Sequence, residues 1–142
     1  MVIKILDVVL GLHVQDMAHG SLDLDCIQLQ WDNEDDSTAQ PVFTVQVRHH
    51  ERMYIQALLH NDDHDWMPSF NEEDLYARQL QDFHDIAIMT HFLLTASSDL
   101  QGNFSSALAT NFISSLLAMT TETVASQRSL TNTTLHPWLT TI

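Results

Sequence analysis

The ionised side chains of this chain are concentrated in its first 85 residues. That segment contains 17 acidic and 4 basic residues, whereas residues 86–142 hold only Asp99, Glu122 and Arg128. The exposed faces of a folded domain normally carry charges, so a 57-residue segment with three of them is expected to be covered by the rest of the fold or by a partner. This uneven distribution of charge predicts two surfaces with different functions.

The length of 142 residues fits a single domain, which we assign to residues 1–142. Within it we distinguish an acidic β-rich half at 1–65, a helical hairpin at 70–126 and a C-terminal arm at 127–142. Hydrophobic residues make up 44% of the chain, which is typical of globular proteins. A packed core is therefore expected despite the net charge of −14.

The order of patterns along the chain predicts an α+β fold. An antiparallel meander of three to four strands is expected over residues 2–60, followed by two packed helices at about 71–97 and 104–125 and by an extended C-terminal arm. Residues 2–13 are rich in Val, Ile and Leu, which favours a strand, although their spacing also suits a short helix. Residues 53–60 fit a helix about as well as a strand, and we favour the strand.

Alternating polar and apolar residues predict two clearer strands. In residues 21–31 the alternation changes phase between Cys26 and Ile27, which predicts a β-bulge at that point. Pro41 opens the next strand, in which apolar side chains again occupy every second position. Both strands belong to the predicted meander.

The two predicted helices differ in character. Glu72, Glu73 and Asp74 fall in the first turn of the first helix, where carboxylates meet the positive end of the helix dipole. A small-residue row at strict four-residue steps runs along the second helix and begins just before it, at Gly102, Ser106, Thr110, Ser114 and Ala118. Such a row lets another helix approach closely, either the first helix or a second subunit. The candidate interface residues are Ser106, Thr110, Ser114, Ala118, Phe112, Leu116 and Trp138.

Several enzyme classes are disfavoured because their motifs are missing. The chain has no Walker A motif, dinucleotide fingerprint or nucleophile elbow, and no cofactor is predicted. Cys26 is the only cysteine and lies in an alternating apolar pattern, which is typical of a buried, inert thiol. No disulfide can form within the chain and no secretory leader opens it, so a cytoplasmic location is expected.

Histidines and aspartates cluster at residues 60–65, and further histidines lie in the first predicted helix. Imidazole and carboxylate groups are ligands of zinc, manganese and iron, which leaves a small metal-dependent enzyme as a minority hypothesis. The alternative is a solvated acidic loop with a partly buried histidine in the helix. The candidate metal ligands are His60, His64, His84 and His91.

The negative charge favours cationic partners over nucleic acid and anionic membranes. The leading hypothesis is a non-enzymatic interaction or assembly subunit, of the adaptor, chaperone or immunity type. It would self-associate through the second helix and bind a basic protein through its acidic half. The second hypothesis is an acidic mimic of nucleic acid that inhibits a DNA- or RNA-binding protein. The carboxylates predicted to meet the partner are Asp23, Asp25, Asp32, Glu34, Asp35, Asp36, Asp62, Asp63 and Asp65.

Overall fold

A computed structural model describes residues 1–31, 43–49, 72–96, 106–126 and 136–140. These residues form an α+β structure with two antiparallel strands and five helices. In chain order the elements are helix α1 (Val2–Val14), a 3-10 turn (Leu24–Cys26), strands β1 (Ile27–Trp31) and β2 (Phe43–Val47), and helices α2 (Glu72–Thr95), α3 (Ala107–Leu117), α4 (Thr121–Ala125) and α5 (Pro137–Thr140).

Residues 2–13 lie in helix α1, so the strand predicted for them is wrong. The helix buries one face, made of Val2, Ile5, Leu6, Val9 and His13. These residues recur at helical spacing. The face that they form packs against β2 and α2. The β-branched residues that favoured a strand are buried equally well by the helix, because their environment decides their conformation more than their intrinsic preference does.

Strands β1 and β2 form an antiparallel hairpin whose register runs from Ile27 opposite Val47 to Trp31 opposite Phe43. The Trp31 and Phe43 rings form a cross-strand aromatic pair, with centroids 5.3 Å apart. Lys4 of α1 donates to the Phe43 carbonyl, and its ammonium group lies 4.3 Å from the centroid of the same ring. Strand β2 confirms the second of the two alternating strands, and α1 covers the hairpin on one side.

The strand predicted over residues 21–31 begins later than expected. The 3-10 turn covers Leu24–Cys26, and the Asp23 carboxylate accepts a hydrogen bond from the Cys26 amide at 3.1 Å. This capped turn, and not a β-bulge, accounts for the change of phase before β1. The three-to-four-strand meander is not confirmed, since the described residues contain two strands and the segment 53–60 lies outside them.

Helix α2 confirms the helix predicted at about 71–97. Its buried face includes Phe83, Ile86 and Ala87, and it packs against α1, α3 and α4. It ends at Thr95, because the next residue, Ala96, has a left-handed φ of 55° that cannot continue a helix. Neither α2 nor any other helix in the described ranges combines the length and the apolar character that a bilayer span requires.

The single helix predicted at 104–125 is broken into α3 and α4. The Thr120 hydroxyl accepts from the Thr123 amide at 3.4 Å, and the Thr123 hydroxyl accepts from the Thr120 amide at 2.7 Å. These reciprocal bonds form a capping box that starts α4. The break occurs here because threonine hydroxyls bond to nearby backbone groups in competition with a continuous helix.

The C-terminal arm is not extended where it is described. Residues 136–140 contain α5, which packs against α3 and buries Leu139. The Trp138 ring stacks on Phe112, with centroids 5.0 Å apart. An extended conformation is thus the wrong prediction here, because a helical turn lets these apolar side chains reach α3. Residues 127–135 lie outside the described part of the chain.

Candidate functional site

A buried carboxylate joins α2 to the loop that follows α1. Asp82 is fully buried, and its Oδ2 atom accepts a hydrogen bond from the His19 amide at 2.9 Å. Its Oδ1 atom accepts from the Gly20 amide at 2.6 Å, and His13 Nε2 lies 2.9 Å from Oδ2. Both carboxylate oxygens are therefore hydrogen-bonded within the protein, as a buried carboxylate requires. The arrangement fixes the loop against α2.

Further contacts extend this attachment along α2. The loop approaches most closely at Gly20, whose φ of 76° favours glycine, and a Cβ there would lie 3.3 Å from an Arg78 guanidinium nitrogen. Gln79 donates from Nε2 to the Met17 carbonyl at 3.3 Å. The loop consequently places Leu22 and the 3-10 turn beside the second half of α2.

Asp85 lies one helical turn beyond the buried Asp82 and holds the end of the loop. It accepts a hydrogen bond from the Leu22 amide at 3.1 Å and another from Gln81 Nε2 at 2.7 Å. Burial raises the pKa of Asp85 above its ordinary value, and the Asp82 carboxylate raises it further. The two hydrogen bonds and His19 act in the opposite direction without cancelling the effect of burial.

The raised pKa of Asp85 predicts that the wild type gains stability relative to Asp85→Asn as the pH falls from neutral. The folded chain binds the Asp85 proton more tightly than the unfolded chain, so ionisation at neutral pH opposes folding. The wild type should recover this loss as the pH falls through the raised pKa, whereas Asp85→Asn has no carboxyl group to titrate, so the wild type should rise in stability relative to the variant. Urea unfolding at neutral and mildly acidic pH measures this relative change, with the exposed Asp25→Asn as control. A wild type that loses stability relative to Asp85→Asn as the pH falls would contradict the assignment.

A groove of about 310 Å³ lies between the 3-10 turn and the second half of α2. Its described lining consists of Leu22, Leu24, Ile88, Met89 and Phe92, which are apolar, and of Asp23, Asp25 and Asp85. Leu22 and Met89 are buried, whereas Ile88 and Phe92 are each 40% exposed. No basic side chain is among these described lining residues. The groove combines an apolar surface with a negative rim.

A second surface on α3 combines exposed apolar side chains with a lack of charge. The face that α3 packs against α2 and α5 contains Ala109, Phe112, Ile113 and Leu116. Outside this face, Leu108 is 43% exposed and Leu117 is 37% exposed. Residues 106–118 contain no charged side chain. Packing within the chain therefore accounts for only part of the low charge of this region.

The small-residue row of α3 lies away from α2. Thr110, Ser114 and Ala118 are exposed, and Ser106 is half-buried at the helix N-terminus, where its hydroxyl accepts from the Ala109 amide. Docking of this row on the first helix, one of the two predicted arrangements, is therefore wrong. The bulky residues of the adjacent face fill that contact instead, since they bury more apolar surface.

The three bulky candidate interface residues contribute to the core of the same chain. Phe112 and Leu116 are fully buried. Trp138 is half-buried against Phe112. The exposed candidates for a contact with a second subunit are therefore the small residues and the neighbouring Leu117.

The predicted acidic partner surface is described in part. Asp23 and Asp25 are exposed and line the groove beside the 3-10 turn. The other members lie outside the described residues: Asp32, Glu34, Asp35, Asp36, Asp62, Asp63 and Asp65.

The candidate metal ligands are also described in part. His84 is half-buried and His91 is buried, both on α2, whereas His60 and His64 lie outside the described residues. His91 Nδ1 lies 3.2 Å from the Thr95 hydroxyl. Within the ranges that the structure covers, no three His, Cys, Asp or Glu side chains are grouped so that they could hold a metal ion.

Sequence reasoning missed the junction at Asp82. One signal was available, because Asp82 precedes the core residue Ile86 by four positions and so shares its helical face. His13 likewise follows the core residue Val9 by four positions, but no local pattern indicates that it meets Asp82, which lies 69 residues later in the chain. The prediction of a buried thiol is confirmed: Cys26 is fully buried, and its Sγ donates to the Ser21 carbonyl at 3.6 Å.

No protein-family model matches the chain, and no curated protein matches its sequence.

Proposed function

We propose that this chain is a non-enzymatic interaction or assembly subunit that self-associates through the exposed side of α3. The observation that carries the proposal is that the exposed side of α3 contains no charge over residues 106–118 and is bordered on its two edges by Leu108 and Leu117, which are in contact with water. An uncharged helix face bordered by exposed leucines is stabilised when a contact removes it from water.

The small residues of α3 support a contact between helices. Thr110 and Ser114 lie one turn apart on the exposed side, and Leu117 follows Ser114 by three positions on the same side. Small side chains let a second helix approach closely, and rows at four-residue spacing fit the commonest crossing of packed helices.

A second copy of the same chain suits this surface. Two chains that each carry a net charge of −14 repel one another over most of their acidic halves. On the α3 surface two copies can meet without opposing charges of like sign, because α3 has none. Self-association through identical faces is also the commonest symmetry of protein dimers.

We expect Leu117→Lys to convert the wild-type oligomer into a monomer. In a symmetric contact the substitution places two ammonium groups in an apolar interface, where their desolvation is unfavourable. Light scattering at micromolar concentration measures the mass. Ser114→Trp is an independent variant with the same expected result, because the indole obstructs close approach of the helices.

Leu29→Lys is the matched control for this experiment. Leu29 lies on β1 and is 39% exposed, against 37% for Leu117, so the same substitution is made at an equally exposed leucine. The control should retain the wild-type mass. A monomeric wild type, or an equal loss of mass in Leu29→Lys, would reject self-association through α3.

A further inference from the structure

We infer that the groove between the 3-10 turn and α2 binds a basic segment of a partner protein. Apolar side chains of that segment would pack in the groove, and its Lys or Arg side chains would meet the acidic rim. The inference goes beyond self-association, because the described lining of the groove comes from residues 22–25 and 85–92 and includes no residue of α3.

The apolar part of the groove is incompletely covered by the chain itself. Ile88 and Phe92 lie one helical turn apart on α2 and are each 40% exposed, beside the buried Leu22 and Met89. Two bulky side chains four residues apart form a ridge against which apolar side chains of an incoming segment can pack. Covering this ridge removes apolar surface from water, which supplies the attraction.

Three carboxylates at the groove favour a partner segment of positive charge. Asp23 and Asp25 come from the 3-10 turn, and Asp85 comes from the facing side of the groove. Asp23 is held by its bond from the Cys26 amide, and Asp85 by its bond from Leu22, so both are positioned before a ligand arrives. Cationic side chains beside an apolar anchor are attracted to this rim, and an acidic segment is repelled.

A basic polypeptide segment fits this combination better than a nucleic acid or an anionic lipid surface does. Nucleic acids and anionic lipid headgroups present phosphates, which the three carboxylates oppose. A polypeptide can place leucine-like side chains and cationic side chains at helical spacing along one segment. The site therefore favours an apolar segment that is flanked by positive charge.

Fluorescence anisotropy with a labelled peptide of leucine and lysine, with its leucines on one helical face, tests the inference. The wild type should bind this peptide. Asp23→Asn combined with Asp25→Asn should weaken binding about threefold to tenfold, as loss of exposed charge pairs does. Asparagine retains the cap of the 3-10 turn, so the fold should be kept. Phe92→Ala should weaken binding at least about tenfold, because it removes an anchor of the groove.

Two variants outside the groove serve as controls. Asp7→Asn removes the same type of charge from the exposed side of α1, and Leu29→Ala shortens an exposed side chain on β1. Of the exposed leucines, Leu29 serves as this control rather than Leu117, because Leu117 belongs to the proposed subunit contact. Asp7→Asn and Leu29→Ala should both bind the peptide like the wild type, and circular dichroism should show that every variant keeps its helices. A second peptide with glutamate in place of lysine should not bind.

Three results would overturn the inference: no binding by the wild type, equal binding of the glutamate peptide, or equal weakening by the control and groove variants. The outcome is separate from that of the proposed self-association. Light scattering of Leu117→Lys reports on α3, and the monomer that it is expected to give retains the groove residues for peptide binding.

Discussion

Replacing Asp82 with alanine is expected to lower the free energy of unfolding by about 3–5 kcal/mol. The substitution leaves the His19 and Gly20 amides without their acceptor and removes the carboxylate beside His13. A buried donor that loses its partner costs about 1–3 kcal/mol. Since domains of this size are stable by only about 5–15 kcal/mol, the midpoint of urea unfolding should fall sharply.

Two further variants define the cause of that effect. Asp7→Ala removes an exposed carboxylate from α1 and should change the free energy of unfolding by no more than about 0.5 kcal/mol. Asp82→Asn retains one acceptor oxygen, so it should lower the free energy of unfolding by less than Asp82→Ala does. A loss below about 1 kcal/mol in Asp82→Ala, which is near the average for any substitution, would show that other contacts hold the loop.

Phe112→Ala is expected to lower the free energy of unfolding by about 3–5 kcal/mol. The Phe112 side chain is fully buried, and its ring lies 5.0 Å from that of Trp138, so truncation opens a cavity between α3 and α5. Urea unfolding at two protein concentrations measures the loss and separates it from effects of association. A residue that acted only between subunits would alter the assembled mass and leave the stability of the dissociated chain unchanged.

Leu108→Ala is the control on the same helix. Leu108 is 43% exposed, so its truncation opens no cavity and should cost less than about 1 kcal/mol. Alanine favours helix in both variants, so the comparison isolates burial from helix propensity. Similar losses in the two variants would contradict the assignment of Phe112 to the core.

Helix α2 and strand β2 were predicted correctly because several local signals agree in each. Glu72, Glu73 and Asp74 suit the first turn of a helix, and the buried positions of α2 follow with helical spacing. In β2 the buried Val47 and the half-buried Val45 alternate with exposed residues. In both segments the tertiary structure stabilises the conformation that the local pattern already favours.

Helix α1 and the break between α3 and α4 show where local signals were insufficient. Residues 2–13 satisfied both a strand and a helix pattern, and contacts with β2 and α2 selected the helix. At Thr120 and Thr123 the choice depended on two hydroxyl groups that can either stay on the surface of one helix or cap the next. Such choices differ by little energy locally, so distant packing decides them.

The sequence by itself determined the distribution of charge: an acidic first half, residues 106–118 without ionised side chains, and Asp23 and Asp25 close together in the chain. Only the tertiary structure decided that the small residues of α3 stay exposed, that Asp82 meets His13 from 69 residues away, and that Asp85 faces the 3-10 turn across a groove. The physical reason is that charge and backbone periodicity are properties of neighbouring residues. Burial depends on which distant segments pack together, and a local pattern does not identify the segment that will pack against it.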